Sequence, residues 1–375
     1  MIDEKNLAWA SDFIKDALFI DGHCDTAMHI LERDFDLRVR NDKGHLDIPR
    51  MIEVGQDAQF FGCFIYPNKN PCDDVIKALD MLDGLHRTAE KDQRFVITES
   101  ADEVLSAKVA GKIACIPAIE GGSAIMEDLH LLRHFRRLGG RYMTLTWNNS
   151  NAVADAADPD QGKFSGLPHR GGLTDFGRDV VREMNRIGMI VDLSHVHEDT
   201  FWGALETTSK PVLVSHSCCY AVNPHYRNIT DEMMRTLAEN GGVVGINYFS
   251  VLLSEDYARQ SEKALNELLA KPGELTASCQ EGNEEEAGDS IWETLPRPDI
   301  SILLDHIDHA VKVAGADHVG LGSDFDGVPS TPEGLNDVKD VVKIVAGLRD
   351  RGHGEKELRK ILGENFLRVL RENEN

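Results

Sequence analysis

Residues 173–196 read LTDFGRDVVREMNRIGMIVDLSHV and hold one complete helix followed by one strand. Thr174 is a good N-cap, because its hydroxyl accepts from a backbone N–H of the first turn. Phe176, Val180, Val181, Met184 and Ile187 then share one helical stripe, and Gly188 supplies a stop. The run MIVDLSHV is apolar on consecutive positions, which is how a strand buried on both faces of a parallel sheet reads. It gives out at His195.

The same unit recurs along the chain. Buried-strand runs stand at 17–25, 58–66, 112–121, 141–148, 189–196, 211–217, 242–249 and 318–327. Helical patterns lie between them and after the last, at 72–92, 174–187, 230–240, 300–314, 338–350 and 355–372. Eight strand–helix alternations point to a (β/α)8 TIM barrel or a large doubly wound sheet. No G-x-G-x-x-G or G-x-x-x-x-G-K-[ST] follows the first strand, which disfavours the nucleotide-binding form of the open sheet. The expected architecture is therefore one barrel domain over residues 1–375. Residues 253–299 break the rhythm with EGNEEEAGDS and several prolines, and are expected to form a rim insertion between strands seven and eight.

Composition narrows the function. A formal net charge of −24, from 64 acidic and 40 basic residues, repels phosphate backbones and anionic membrane surfaces, so no nucleic-acid or membrane partner is expected. The seven cysteines are scattered without a C-x-x-C, which suits a reduced compartment. No run approaches the roughly 18 apolar residues of a membrane span, and MIDEKNLAWASDFIKDALFIDG does not read as a signal peptide. The expected location is the cytoplasm.

In a barrel of this kind the chemistry sits at the C-terminal ends of the strands. The first strand ends in His23-Cys24-Asp25, and residues two apart on a strand share a face. The third ends in Glu120, the fifth in His195, the sixth in His216 and the eighth in Asp324. Imidazole nitrogen and carboxylate oxygen suit zinc and related divalent ions. This set exceeds what one tetrahedral zinc with an open position needs, and it suits two metals sharing a carboxylate. Two metals activate water for hydrolysis. His45 and His197 lie outside the strand ends and are expected not to be ligands.

Long motifs in order resemble the membrane (renal) dipeptidase family of zinc peptidases, family M19, of the amidohydrolase type. They run from FIDGHCDT and GHLDIPR through IPAIEGG, GGRYMTLTWNNSNAVAD and PVLVSHS to AGADHVGLGSDFDGVPSTPEGLNDV. The resemblance implies a metallo-dipeptidase with two Zn2+, His23 and Asp25 on one, His195 and His216 on the other, and Glu120 bridging. It also implies that a bridging hydroxide attacks the peptide bond of an L-L or L-D dipeptide, with Asp324 as the catalytic acid and base. Arg227 matches the arginine that pairs with the substrate carboxylate, and Tyr248 lies near a substrate-contacting aromatic. A homodimer is usual in the family, and the soluble bacterial branch is the nearer likeness.

One position departs from that pattern. The family carries an oxyanion-binding histidine after strand four, where MTLTWNNSN places Trp147, Asn148 and Asn149. Either Trp147 or an asparagine such as Asn148 contacts the substrate there, or the substrate differs. Two alternatives therefore stand beside the dipeptidase: a two-metal amidohydrolase of N-acyl amino acids or cyclic amides, and a barrel without catalysis.

Overall fold

Eight parallel strands pair in chain order: β1 (Ile20–Cys24), β2 (Ala58–Phe64), β3 (Ile113–Glu120), β4 (Tyr142–Thr144), β5 (Ile190–Asp192), β6 (Leu213–Ser217), β7 (Val243–Ile246) and β8 (Val319–Leu321). The structure, a computed structural model, describes residues 3–32, 34–66, 70–157, 169–269, 292 and 294–375. Closure between β8 and β1 is made just past the strands. There Asp25 N–H donates to Phe325 O (2.8 Å) and Asp324 N–H donates to His23 O (3.1 Å). The expected (β/α)8 barrel is the observed fold, and all eight strands fall within the predicted runs.

Four strands, β4, β5, β7 and β8, stop at least three residues earlier than their apolar runs suggest, and two of them leave a predicted ligand or catalytic residue beyond the strand. β5 ends at Asp192 and β8 at Leu321, ahead of His195 and Asp324. Those two residues have φ of 65° and 60°, a left-handed conformation that no strand continues through. A ninth short strand, Phe95–Ile97, went unread in the sequence; it pairs with Ile113–Cys115, the lower half of β3. β4 covers only Ala118–Glu120 on that side, so the lower half of β3 would otherwise leave its backbone groups unpaired. Length alone hides a three-residue strand whose partner is set by tertiary structure.

The helices follow the sequence signals closely. Thr174 Oγ1 accepts from Gly177 N–H at the head of Asp175–Ile187, and Gly188 (φ 71°) ends it. Thr230 caps Asp231–Glu239 in the same way. The last predicted helix is observed as Glu355–Arg359, a π-helical turn at Lys360–Glu364 and Asn365–Asn373. Among the described residues no helix is long and apolar enough to cross a membrane.

Of the segment 253–299, the helix Glu255–Leu269 and residues 292 and 294–299 are described; 270–291 and 293 lie outside the described residues. Tyr257 donates to Ser330 Oγ (2.7 Å), and the Arg297 guanidinium donates to Thr331 O (2.6 Å). Both ends of the segment thus hold the loop that follows β8.

The C-terminal helix Asn365–Asn373 presents Phe366, 1% exposed, to the barrel interior. Its ring lies beside Gly22 of β1 and Gly320 of β8, where an added Cβ would stand 2.6 and 2.4 Å from ring carbons. Interiors packed this closely do not absorb an extra methyl freely. Gly320→Ala is expected to cost about 1–3 kcal/mol in urea unfolding. Adding Phe366→Leu should recover part of that loss, a non-additivity that two independent sites would not show.

Candidate metal centre

His23, Asp25, Glu120, His195, His216 and Asp324 are all less than a tenth exposed and converge at the C-terminal mouth of the barrel. His23 Nε2 lies 3.2 Å from Glu120 Oε2, 3.5 Å from Asp25 Oδ2 and 3.8 Å from Asp324 Oδ1. The other oxygen, Glu120 Oε1, lies 3.2 Å from His195 Nε2 and 3.6 Å from His216 Nε2. Glu120 therefore turns one oxygen to the β1 pair and the other to the β5 and β6 histidines. The left-handed backbone at His195 and Asp324 turns these side chains onto the cluster, a conformation that costs about 1–3 kcal/mol for a non-glycine residue.

The proton arrangement follows from what each imidazole touches on its far side. His195 Nδ1 faces Asn148 Oδ1 at 2.8 Å, an acceptor, so Nδ1 carries the proton. His216 Nδ1 faces Ser215 Oγ at 2.8 Å, and that hydroxyl spends its own proton on Asp192 Oδ2 (2.8 Å). His23 Nδ1 faces the Tyr142 hydroxyl at 2.5 Å, which donates to Gly22 O (3.3 Å). All three histidines thus turn an Nε2 lone pair to the cluster.

Two of those lone pairs, on His195 and His216, stand only 2.8 Å apart. With both protons on Nδ1 none joins them, and each ring is held neutral: burial, with the Arg227 charge nearby, keeps both pKa values well below the ordinary range. His23 Nε2, Asp25 Oδ1 and Glu120 Oε2 are likewise buried without a hydrogen-bond partner. Opposed lone pairs and orphaned oxygens gathered in one place call for cations. One ligand atom each from His23, Glu120 and His216, and from His23, Asp25 and Asp324, lies within a 4.8 Å group. The residues present fit the implied metals.

Charge in the cluster supports the same reading. Burial and the Glu120 carboxylate raise Asp25 to about 6, and burial raises Asp324 to about 7. Burial opposes charge on His23, yet Tyr142, Glu120 and Asp25 together push its pKa well above the usual imidazole range. The Glu120 and Asp25 carboxylates therefore favour a positive charge at His23 Nε2, which a metal ion would supply in place of a proton.

Four further residues complete the centre, and strand-end reading missed them. Asn247, fully buried after β7, donates from Nδ2 to Asp324 Oδ2 at 2.8 Å, while Asp324 Oδ1 is turned toward His23. Asp192, Ser215 and Tyr142 hold the histidines from behind, as above. Asp192 does carry a sequence signal, an acid inside the apolar run MIVDLSHV; the others are neutral residues that no ligand search would pick.

The remaining expected residues divide. Arg227 is 8% exposed, and among the described residues its guanidinium makes no hydrogen bond or ion pair. Asn148 is engaged with His195 through its oxygen. Trp147 is half-buried, with its ring centroid 6.3 Å from that of His195. Tyr248 is wholly buried and packs edge-on against Phe325 (5.5 Å), and among the described residues its hydroxyl has no hydrogen-bond partner. His45 pairs with Asp326 (2.9 Å), away from the cluster. His197 caps the helix Glu198–Thr207 by accepting from Asp199 N–H, so its Nδ1 lone pair is engaged there.

With this geometry in view, the comparisons decide the family. The profile of the membrane dipeptidase family, peptidase family M19, matches residues 7–375. The chain belongs to that family. Among dipeptidase relatives, the dipeptidase tcpJ of Claviceps purpurea is 34% identical, covering 95% of this chain and 77% of its own length. An uncharacterised dipeptidase of Schizosaccharomyces pombe is also 34% identical, covering 99% and 85%. A metallo-peptidase from Rhodobacter sphaeroides, solved with a phosphinate mimic of L-Ala-D-Ala, superposes with a TM-score of 0.78 at 26% identity, over 96% and 99% of the two chains. The protein is accordingly a hydrolase of the dipeptidase type, in a metal-dependent family.

The network behind the histidines yields a test. Ser215→Ala removes the acceptor for His216 Nδ1–H and should weaken zinc binding by about 10- to 100-fold. Titration of the apoprotein with Zn2+ measures this, and the apoprotein melting temperature should move little by comparison.

Proposed function

We propose that the protein is a binuclear zinc dipeptidase that hydrolyses dipeptides with a free C-terminal carboxylate. The observation that carries this reading is the pair of opposed His195 and His216 lone pairs with Glu120 turned to both halves of the cluster. His23 and Asp25 would hold one ion, His195 and His216 the other, and Glu120 would serve both. An all-nitrogen and oxygen donor set suits zinc. When bound, the ions supply a water acidified to near-neutral pKa and polarise the carbonyl under attack.

The chain's own residues do the rest. Asp324 has one oxygen fixed by Asn247, so the other is positioned to take the water's proton and return it to the leaving amine. The buried Arg227 guanidinium, without an ion-pair partner among the described residues, would receive the substrate carboxylate in a two-pronged contact. Asn148 acts through His195, whose orientation and tautomer it sets. The L-Ala-D-Ala mimic bound by the Rhodobacter sphaeroides relative supports acceptance of either hand at the C-terminal residue. The same reading takes residues 253–299 as a rim insertion on a single domain, supported by their contacts with the loop after β8.

Zinc-loaded protein assayed against L-L and L-D dipeptides and N-acyl amino acids tests the proposal. Dipeptide turnover is expected, and its absence with metal bound overturns the reading. Asp324→Asn should keep its metal content, measured by elemental analysis, while kcat falls by about 10²–10⁴. Arg227→Met should lower kcat/KM for dipeptides at least about tenfold and abolish the preference for a free acid over the dipeptide amide.

A further inference from the structure

Three aromatic rings gather beside the metal centre without a role in the reaction as proposed. Phe64 is the last residue of β2, Tyr66 stands two residues on, and Trp147 follows β4. β3 runs between those strands, yet the rings meet: Trp147 is 5.0 Å from Phe64 and 5.4 Å from Tyr66, centroid to centroid. Between them β3 ends at Glu120, and the chain turns away through Gly121 into the short 3-10 turn Gly122–Ile125. Phe64 and Trp147 are half-buried and Tyr66 is 41% exposed, so the group presents apolar surface at the barrel mouth.

The barrel's symmetry says which part of a substrate would reach it. In a closed barrel of eight strands, β2 lies across the axis from β6. Arg227 belongs to the segment after β6. A dipeptide has one peptide bond; with its carboxylate at Arg227 and that bond over Glu120 and the histidines, its first residue lies toward β2 and β4.

We infer that Phe64, Tyr66 and Trp147 form an apolar wall that receives the side chain of the substrate's first residue, so that the preferred dipeptides begin with a large apolar or aromatic residue. The inference rests on the dipeptidase reading above and adds the substrate class to it. Burying an apolar side chain against such a wall favours it over glycine by about ten- to a hundredfold.

The experiment compares kcat/KM of the zinc-loaded enzyme for Gly-Ala, Leu-Ala and Phe-Ala, in the wild type, Trp147→Ala and Tyr66→Ala. Phe-Ala should exceed Gly-Ala by about tenfold or more in the wild type. That ratio should fall by about threefold or more in Trp147→Ala and by less in Tyr66→Ala. A wild-type ratio near one, or an unchanged ratio in both variants, overturns the wall while leaving the dipeptidase reading intact. Should Trp147→Ala not fold, Tyr66→Ala, at an exposed ring, decides by itself. Hydrolysis of none of the three dipeptides overturns the dipeptidase reading and the wall with it.

Discussion

Two imidazole lone pairs 2.8 Å apart, on His195 and His216, are the constraint around which the centre is organised. Asn148 Oδ1 behind one ring and Ser215 Oγ behind the other favour a proton on each Nδ1 and so leave the facing Nε2 atoms as acceptors. Behind Ser215, the buried Asp192 carboxylate accepts from Ser215 and Thr144 hydroxyls and from the Ser215 backbone N–H. Such a network is worth its desolvation only when every member is satisfied, which a cation facing the two Nε2 atoms would do. The site's chemistry is thus written into the backs of the histidines as much as into their faces.

The barrel supplies what a network of this kind needs, rigid elements with their ends in register. β1, β3, β5 and β6 bring these side chains in from separate directions, and the two oxygens of Glu120 reach both groups. Asp324 and His195 are reached at the cost of left-handed backbone, placed just where each strand gives way to its loop. The closing hydrogen bonds of the barrel run through His23, Asp25 and Asp324 themselves, so the backbone groups that close the fold also carry the centre's side chains.

How far the site could be read in advance differs by residue type. Strand-end histidines and carboxylates were legible because an ionisable group that interrupts an apolar run is unusual, and six such groups at one end of a barrel are rarer still. Asn247, Ser215 and Tyr142 were not legible, since amides, hydroxyls and phenols occur at strand ends for many reasons. Tyr248 was legible only as a position beside the site; that its ring packs against Phe325 is set by the fold. Phe95–Ile97 was passed over because its pairing depends on how short β4 turned out to be.

By itself, the sequence determined the alternation of helices and buried strands, the caps and stops of the helices, and the identity of the six groups at the strand ends. These are local matters of periodicity, capping chemistry and the cost of burying a charge. Only the tertiary structure decided which nitrogen of each histidine faces inward, which oxygen of Glu120 serves which neighbours, and that Phe64, Tyr66 and Trp147 meet across β3. Those facts depend on contacts between residues far apart in the chain, where the geometry of the closed barrel, and no local propensity, sets what touches what.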